Sequence, residues 1–323
     1  MDFFETLLWP LRWVVEVLLV VWHQVFTYLG VPPESGVNWI LSIIGLVIVV
    51  RSALIPVTVK QIKSQRRMLE MAPELKKIQA KYKGKTDQFS REAMSRESMA
   101  LYKKHGTNPF SSCLPILLQM PIFFSLFYTL RTASENKPGV GMMTQELSSN
   151  FYQAEIFGAP LKMTFMQAWQ DGPWQVLLLA SILVILMISS QFFTQLQIVS
   201  KNISEETKSS PMYRQQKIML YIIPFMFLFS GVAFPLGLNF YWFTSNLWTM
   251  AQQFIVIRSM PTPGSEAFRQ RQERLQKRGK LTFEEVEAGK DQPTKPAGQR
   301  QQPVSKKRAK QQPKPGSAGN QKK

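Results

Sequence analysis

Apolar positions in this chain fall into long, nearly unbroken runs, and the charged positions are packed between them. A helix needs about 20 predominantly apolar residues to cross the hydrocarbon of a bilayer. Five runs approach or reach that length, at residues 37–59, 109–130, 174–196, 218–234 and 236–257. The last two are parted only by Pro235, which predicts a helical hairpin whose turn barely leaves the membrane. Trp39, Trp174, Tyr221 and Trp248 lie near run ends, where aromatic side chains settle at headgroup level. The pattern predicts an all-α polytopic membrane protein with five transmembrane helices.

Residues 1–36 fit this scheme least. "LLWPLRWVVEVLLVVWH" is apolar, but Arg12, Glu16 and His23 share one helical stripe. That predicts an amphipathic helix lying in the interface, with an extra membrane anchor as the alternative. The opening "MDFFE" has no positive n-region, and neither a small-residue cleavage site nor a lipid-acceptor cysteine follows.

Charge orients the runs. Residues 60–105 carry 13 Lys/Arg against 5 Asp/Glu, while residues 131–173 carry 3 against 4. Cytoplasmic loops are enriched in Lys and Arg, so residues 60–108 are expected inside and 131–173 outside. Alternation then places 197–217 inside, Pro235 outside and the tail, 258–323, inside. The tail agrees, with 17 Lys/Arg against 6 Asp/Glu. These blocks give a net charge of +18 and pull the mean hydropathy down to -0.10 despite the apolar runs.

The first charged block reads as a helical hairpin. Met68, Ala72, Leu75, Ile78 and Tyr82 form an apolar stripe on a basic helix. Lys83-Gly84-Lys85 breaks it, Thr86 or Asp87 is placed to cap a second helix, and that helix runs to about Lys104 before Gly106 and Pro109. Such a hairpin either fixes topology as a solvated basic face or docks incoming chains, anionic lipid or a targeting component. Beyond Pro261 the composition is too poor in apolar residues to bury a core, so disorder is expected. Lys306, Lys307, Arg308 and Lys310 near its end form a polybasic stretch suited to ribosomal RNA or anionic lipid headgroups. No nucleic-acid recognition motif accompanies it, and DNA is not an expected partner.

Little in the chain is equipped for covalent chemistry. Cys113 is the lone cysteine and His23 and His105 are the only histidines, so neither an internal disulfide nor a Cys/His metal centre is expected. No P-loop is present, and Ser52 and Ser125 lack a base within the runs, which argues against an intramembrane protease. The residue that stands out is Arg51, inside "SIIGLVIVVRSALIPVTVKQ". A charge at the middle of a spanning helix costs about 2.5–3.5 kcal/mol on insertion scales and is tolerated where it lines a water-filled cavity. Counted from Trp39, Arg51 lies about 18 Å along the helix, in the cytoplasmic half of its run. Pro56 lacks a backbone N–H, which predicts that the Ser52 carbonyl is left as an acceptor for water or a side chain. An anion site in a small channel or secondary transporter is one use for such an arginine. Against it stand the absence of internal repeats and of paired acids within the runs.

Three stretches carry a family likeness. "VVRSALIPVTVKQIKSQRRMLEMAPELKKIQAKYKG", "NPFSSCLPILLQMPIFFSLFYTLR" and "PFMFLFSGVAFPLGLNFYWFTSNLWTMAQQ" closely resemble the YidC/Oxa/Alb membrane-protein insertases, in order and spacing, across roughly residues 37–258. Lacking a large extracytoplasmic β-domain, the chain looks like the compact form of Gram-positive bacteria, actinobacteria in particular. The resemblance implies five transmembrane helices around a hydrophilic groove, open to cytoplasm and lipid, with Arg51 facing it. It implies a protein of the bacterial plasma membrane that uses no cofactor, inserts nascent membrane proteins and helps them fold, alone or with the Sec translocon. The ribosome and anionic lipid are implied partners through the tail and cytoplasmic loops. Trp242 matches the family's groove-lining tryptophan, although its place near the outer end fits an interface anchor equally well. Gln191 and Gln195 are groove candidates beside Arg51, with Gln119, Thr244, Ser245 and Asn246 as further ones; each also fits helix-to-helix hydrogen bonding.

Overall fold

Proline decides where the first predicted span ends. In the computed structural model, which describes residues 3–108, 114–204, 208 and 211–279, helix α1 (Phe3–Tyr28) is followed by α2 (Gly36–Ala53) and, beyond Leu54, by α3 (Ile55–Lys81). Pro56 sits in the first turn of α3, where a missing N–H leaves no helical bond unmade. The Leu54 N–H serves the carbonyls of Val50, at 3.1 Å, and Ser52. Two expectations are thereby corrected: residues 37–59 are not one continuous helix, and the Ser52 carbonyl is not left without a donor.

The remaining long helices are α4 (Gln88–Lys104), α5 (Leu114–Ser134), then, after two short helices, α6 (Gln145–Gln153) and α7 (Phe165–Asp171), α8 (Trp174–Lys201), α9 (Pro211–Ala233) and α10 (Leu236–Ser259). Among the described residues, four segments are long and apolar enough to cross a membrane: Thr6–Tyr28, Gly36–Ala53, Trp174–Lys201 and Gln216–Ala233. α5 and α10 have the length, at 21 and 24 residues, but Gln119 and Thr129 in one and Asn239, Ser245 and Asn246 in the other dilute their hydropathy. α10 packs on α2 and α8, α9 on α8, and α1 on α2 and α5. Trp39, Ile43, Leu46, Leu126 and Leu238 fill the space between them. A Cβ at Gly231 would strike Val184, so this glycine sets the close approach of α9 to α8. Leu178, Ile182 and Ile185 of α8 and Phe225, Met226 and Phe229 of α9 are left exposed, a surface that demands an apolar solvent.

The polar stripe of α1 faces inward. Arg12, Glu16 and His23 are only 5%, 0% and 2% exposed, whereas Trp9, Trp13, Val14 and Val21 are open. An interfacial helix presents the opposite face to water. The Glu16 carboxylate accepts from the backbone N–H groups of Val140 (3.0 Å) and Gly141 (2.7 Å) and from the Thr129 hydroxyl (3.5 Å). Arg12 donates to Thr132 Oγ1 at 3.4 Å and lies over the Tyr128 ring. Gly139 and Gly141 permit this approach, since a Cβ would collide with the Glu16 carboxylate or the Trp13 ring respectively.

The loop between α5 and α8 is ordered by its own small elements. Strands β1 (Glu155–Ile156) and β2 (Ala159–Pro160) pair antiparallel, Glu155 opposite Pro160, around a turn in which Phe157 and Gly158 both take positive φ, 51° and 74°. A capping box between Thr164 and Gln167 starts α7. The N–H groups of Leu236 and Gly237 donate to the carbonyls of Met163 (3.0 Å) and Leu161 (2.9 Å), tying the loop to the α9–α10 connection.

α3 and α4 form a hairpin. Of the two cap candidates it is Asp87 whose carboxylate accepts, from the Ser90 N–H at 2.6 Å, while Met68 and Ala72 are buried. Glu97 accepts from Lys81 and from the Tyr82 hydroxyl, at 2.5 and 2.8 Å, which holds its carboxyl below the usual range. Burial by itself would raise the carboxyl of Glu74, but hydrogen bonds and charge from Lys104 and His105 outweigh it and the net shift is downward. Carboxyls depressed in the folded state stabilise above their unfolded pKa, and that contribution is lost as pH falls through the folded values. Hydrogen exchange in α4, corrected for its intrinsic pH dependence, is expected to hold steady from neutrality to about pH 5 and to quicken below about pH 4. Flat protection down to about pH 2 would remove these pairs as the hairpin's ties.

The tail departs from expectation. Helix α11 (Glu266–Lys277) occupies the start of the stretch expected to be disordered. The Ser265 hydroxyl accepts from the Phe268 N–H at 3.2 Å, and Thr262 N–H donates to Asn202 Oδ1 at 2.9 Å. A cap and local side-chain bonding suffice here, where composition counted only missing apolar residues. Lys306, Lys307, Arg308 and Lys310 lie outside the described residues.

Candidate functional site

The break at Leu54 places Arg51 in the last turn of α2, at the negative end of the helix dipole, which favours a cation. Arg51 is partly buried and makes no ion pair among the described residues. Its neighbour is Tyr241, a buried residue of α10 close enough to interact with the guanidinium electrostatically. Gln119 of α5 donates from Nε2 to the Tyr241 hydroxyl at 2.5 Å. Three helices thus bring a cation, a phenol and an amide together. Five residues further along α10, Asn246 is buried and its Nδ2 has no acceptor among the described residues; the same holds for Gln61 Nε2 on α3. Leaving such a group dry costs about 1–3 kcal/mol, so these residues call for water or a polar guest.

The residue after Tyr241 on α10, Trp242, belongs to an aromatic cluster. Trp242 stacks on Phe123 with centroids 5.2 Å apart and meets Phe234 edge-on at 5.2 Å. Phe127 meets Phe234 at 5.7 Å and 89°. Trp242, partly buried, is therefore packed among rings from α5 and the α9–α10 connection. Aromatic pairs of this kind add about 0.5–1.5 kcal/mol each beyond their burial.

The other sequence candidates gather less closely. Gln191 and Gln195 of α8 are partly buried, and no hydrogen bond joins them to Arg51, Gln119 or Tyr241 among the described residues. The Ser52 and Pro56 side chains are exposed. Thr244 returns its hydroxyl to the Phe240 carbonyl at 2.8 Å, and Ser245 is buried. Tyr241 was missed; its signal was the four-residue spacing to Ser245, which sets both on one face of α10. Among the described residues, no three His, Cys, Asp or Glu side chains come together as a metal site. A cation backed by a phenol and amides can attract carboxylates.

The family model described as 60Kd inner membrane protein matches residues 31–263. A membrane protein insertase YidC of Tropheryma whipplei (strain Twist) is 45% identical over 316 residues, covering 96% of this chain and 97% of that one. The YidC of Bifidobacterium longum (strain NCC 2705) is 36% identical over 326 residues, covering 95% and 96%, and that of Streptomyces avermitilis is 43% identical over 274, covering 83% and 61%. A solved active YidC insertase with its first transmembrane domain resolved overlays at a TM-score of 0.45 and 24% identity, covering 79% of this chain and 47% of that one, too weakly to carry the fold by itself. The match through residues 31–263 and the near full-length relatives place the chain, a multi-pass bacterial membrane protein, in the 60Kd inner membrane protein family of YidC proteins.

Proposed function

We propose that the protein is a membrane protein insertase that works without covalent chemistry. The observation that carries this reading is Arg51, unpaired with any acid among the described residues, held at a helix end beside Tyr241. An incoming apolar segment lies along the exposed side chains of α8 and α10, among them Ile185, Phe193, Phe254 and Ile255. Its short polar flank enters a hydrophilic groove between the helices, the recess in which Arg51 attracts acidic residues. Burial of the client's span in lipid, about 25 cal/mol per Å² of apolar surface, supplies the driving force, and no nucleotide is required. Gln191 and Gln195, partly buried on α8, receive the polar flank together with Arg51. In this reading the α3–α4 hairpin and the tail are cytoplasmic and the loop between α5 and α8 is outside, as the charge balance favours.

The test is protease-protected insertion of a small single-span client, translated cell-free with liposomes holding the purified protein. Protection well above empty liposomes supports the reading. Release of a small trapped solute without any client would instead favour a channel. The Sec translocon, anionic lipid and the ribosome are proposed partners, the last through Lys306, Lys307, Arg308 and Lys310. Removing residues 280–323, which spares α11, is expected to reduce ribosome co-sedimentation several-fold and to flatten its salt dependence. Unchanged co-sedimentation would assign the tail another role.

A further inference from the structure

A cavity of about 690 Å³ opens beyond the aromatic cluster, between the end of α5, the α9–α10 connection and the loop before α7. From its walls we infer that it is a binding site for an anionic phospholipid, with the phosphate on Lys162 and Arg131 and an acyl chain along α9. The inference rests on the membrane-spanning reading and not on insertase activity.

The volume lies within the range of about 300–1,000 Å³ common for small-molecule sites. Phe127, Phe234 and Leu238 form its apolar wall, and Arg131, Glu135 and Lys162 stand at its rim. Lys162 Nζ lies 3.0 Å from the centroid of the Tyr152 ring and makes no ion pair among the described residues. Arg131 reaches Glu135 at 3.4 Å, but Lys137 claims the same carboxylate at 2.8 Å. Two cations therefore share Glu135 while Lys162 has no acid of its own among the described residues, and the rim keeps surplus positive charge. Inside, Ala233 lines the cavity. Phe229 and Phe225, one and two turns earlier on the same face of α9, are 72% and 71% exposed. The apolar wall thus runs on as an uncovered strip along the helix.

Cations at the end of a helix bundle, above a continuous apolar strip, recognise a molecule with an anionic head and a greasy chain. An acidic client flank would satisfy the cations and gain nothing from Phe127, Phe229 or Phe225. A phospholipid uses both.

The full chain, purified in mild detergent and supplied with equal phosphatidylglycerol and phosphatidylcholine, is expected to retain phosphatidylglycerol preferentially in native mass spectrometry. Lys162→Gln with Arg131→Gln should lower that retention at least tenfold while the melting temperature holds, because both side chains are at the rim. Lys162→Arg should preserve it, and Ala233→Trp, which fills the cavity without touching charge, should lower it independently. Equal retention by the double variant overturns the proposal. So does displacement of the bound lipid by a soluble acidic peptide where glycerol phosphate at the same concentration displaces none, an outcome that assigns the cavity to the client.

Discussion

Arg51→Ala is expected to reduce insertion of a client with an acidic N-terminal flank at least tenfold, while a client with a neutral flank loses little. A unit charge about 4 Å from a carboxylate is worth about 4 kcal/mol at an effective dielectric of about 20. Water in the recess screens part of this, and what remains above 1.4 kcal/mol is already a factor of ten. Arg51→Lys should keep most of the activity, since the cation and the helix-end carbonyls that favour it both persist, and Arg51→Glu should do worse than alanine. Proteoliposomes carrying each variant, offered both clients, make the comparison. If lysine is as inactive as alanine, attraction by charge is the wrong account; if the neutral client fails equally, Arg51 supports the fold instead of the client.

Glu16→Ala should destabilise the protein by about 3–5 kcal/mol, because it strips the acceptor from two backbone N–H groups and from the Thr129 hydroxyl in a buried setting. Glu16→Gln keeps one oxygen and should cost about half as much. The segment through Gly139 and Gly141 ought to become cleavable by protease in the alanine variant, with a matching fall in thermal midpoint in detergent. Gly141→Val is expected to reproduce the effect from the other side, by driving its side chain into Trp13. A wild-type midpoint for Glu16→Ala would show that the loop holds itself without α1.

Hydropathy made α2, α8 and α9 legible, because a helix solvated by lipid has to be apolar along its whole length. α5 and α10 were legible as runs too, although Gln119 and Thr129 in one and Asn239, Ser245 and Asn246 in the other dilute their hydropathy. The end of α2 was harder. Pro56 was visible, but a proline in a spanning helix either kinks or ends it, and the Leu54 cap that decides between them depends on where α3 must go. The stripe of Arg12, Glu16 and His23 was read with the right period and the wrong facing, since the amides that receive Glu16 lie at Val140 and Gly141, far along the chain. Arg51 and Trp242 stood out as residues. Their neighbours Gln119, Tyr241 and Phe123 became meaningful only once α5 and α10 were laid side by side.

The rings of Phe123, Phe127, Phe234 and Trp242 pack face and edge against one another between α5 and the start of α10, and water following a hydrophilic groove between these helices would have to get past them. Ions follow such a file, and protons hop along it faster than any client moves. Rings packed in this way would serve such a groove as electrical insulation, and thinning them would register first as a drain on the proton gradient, in cells whose membrane proteins still arrive on time. The width a recess of this kind can reach is set by how well a membrane crowded with its copies still holds a voltage.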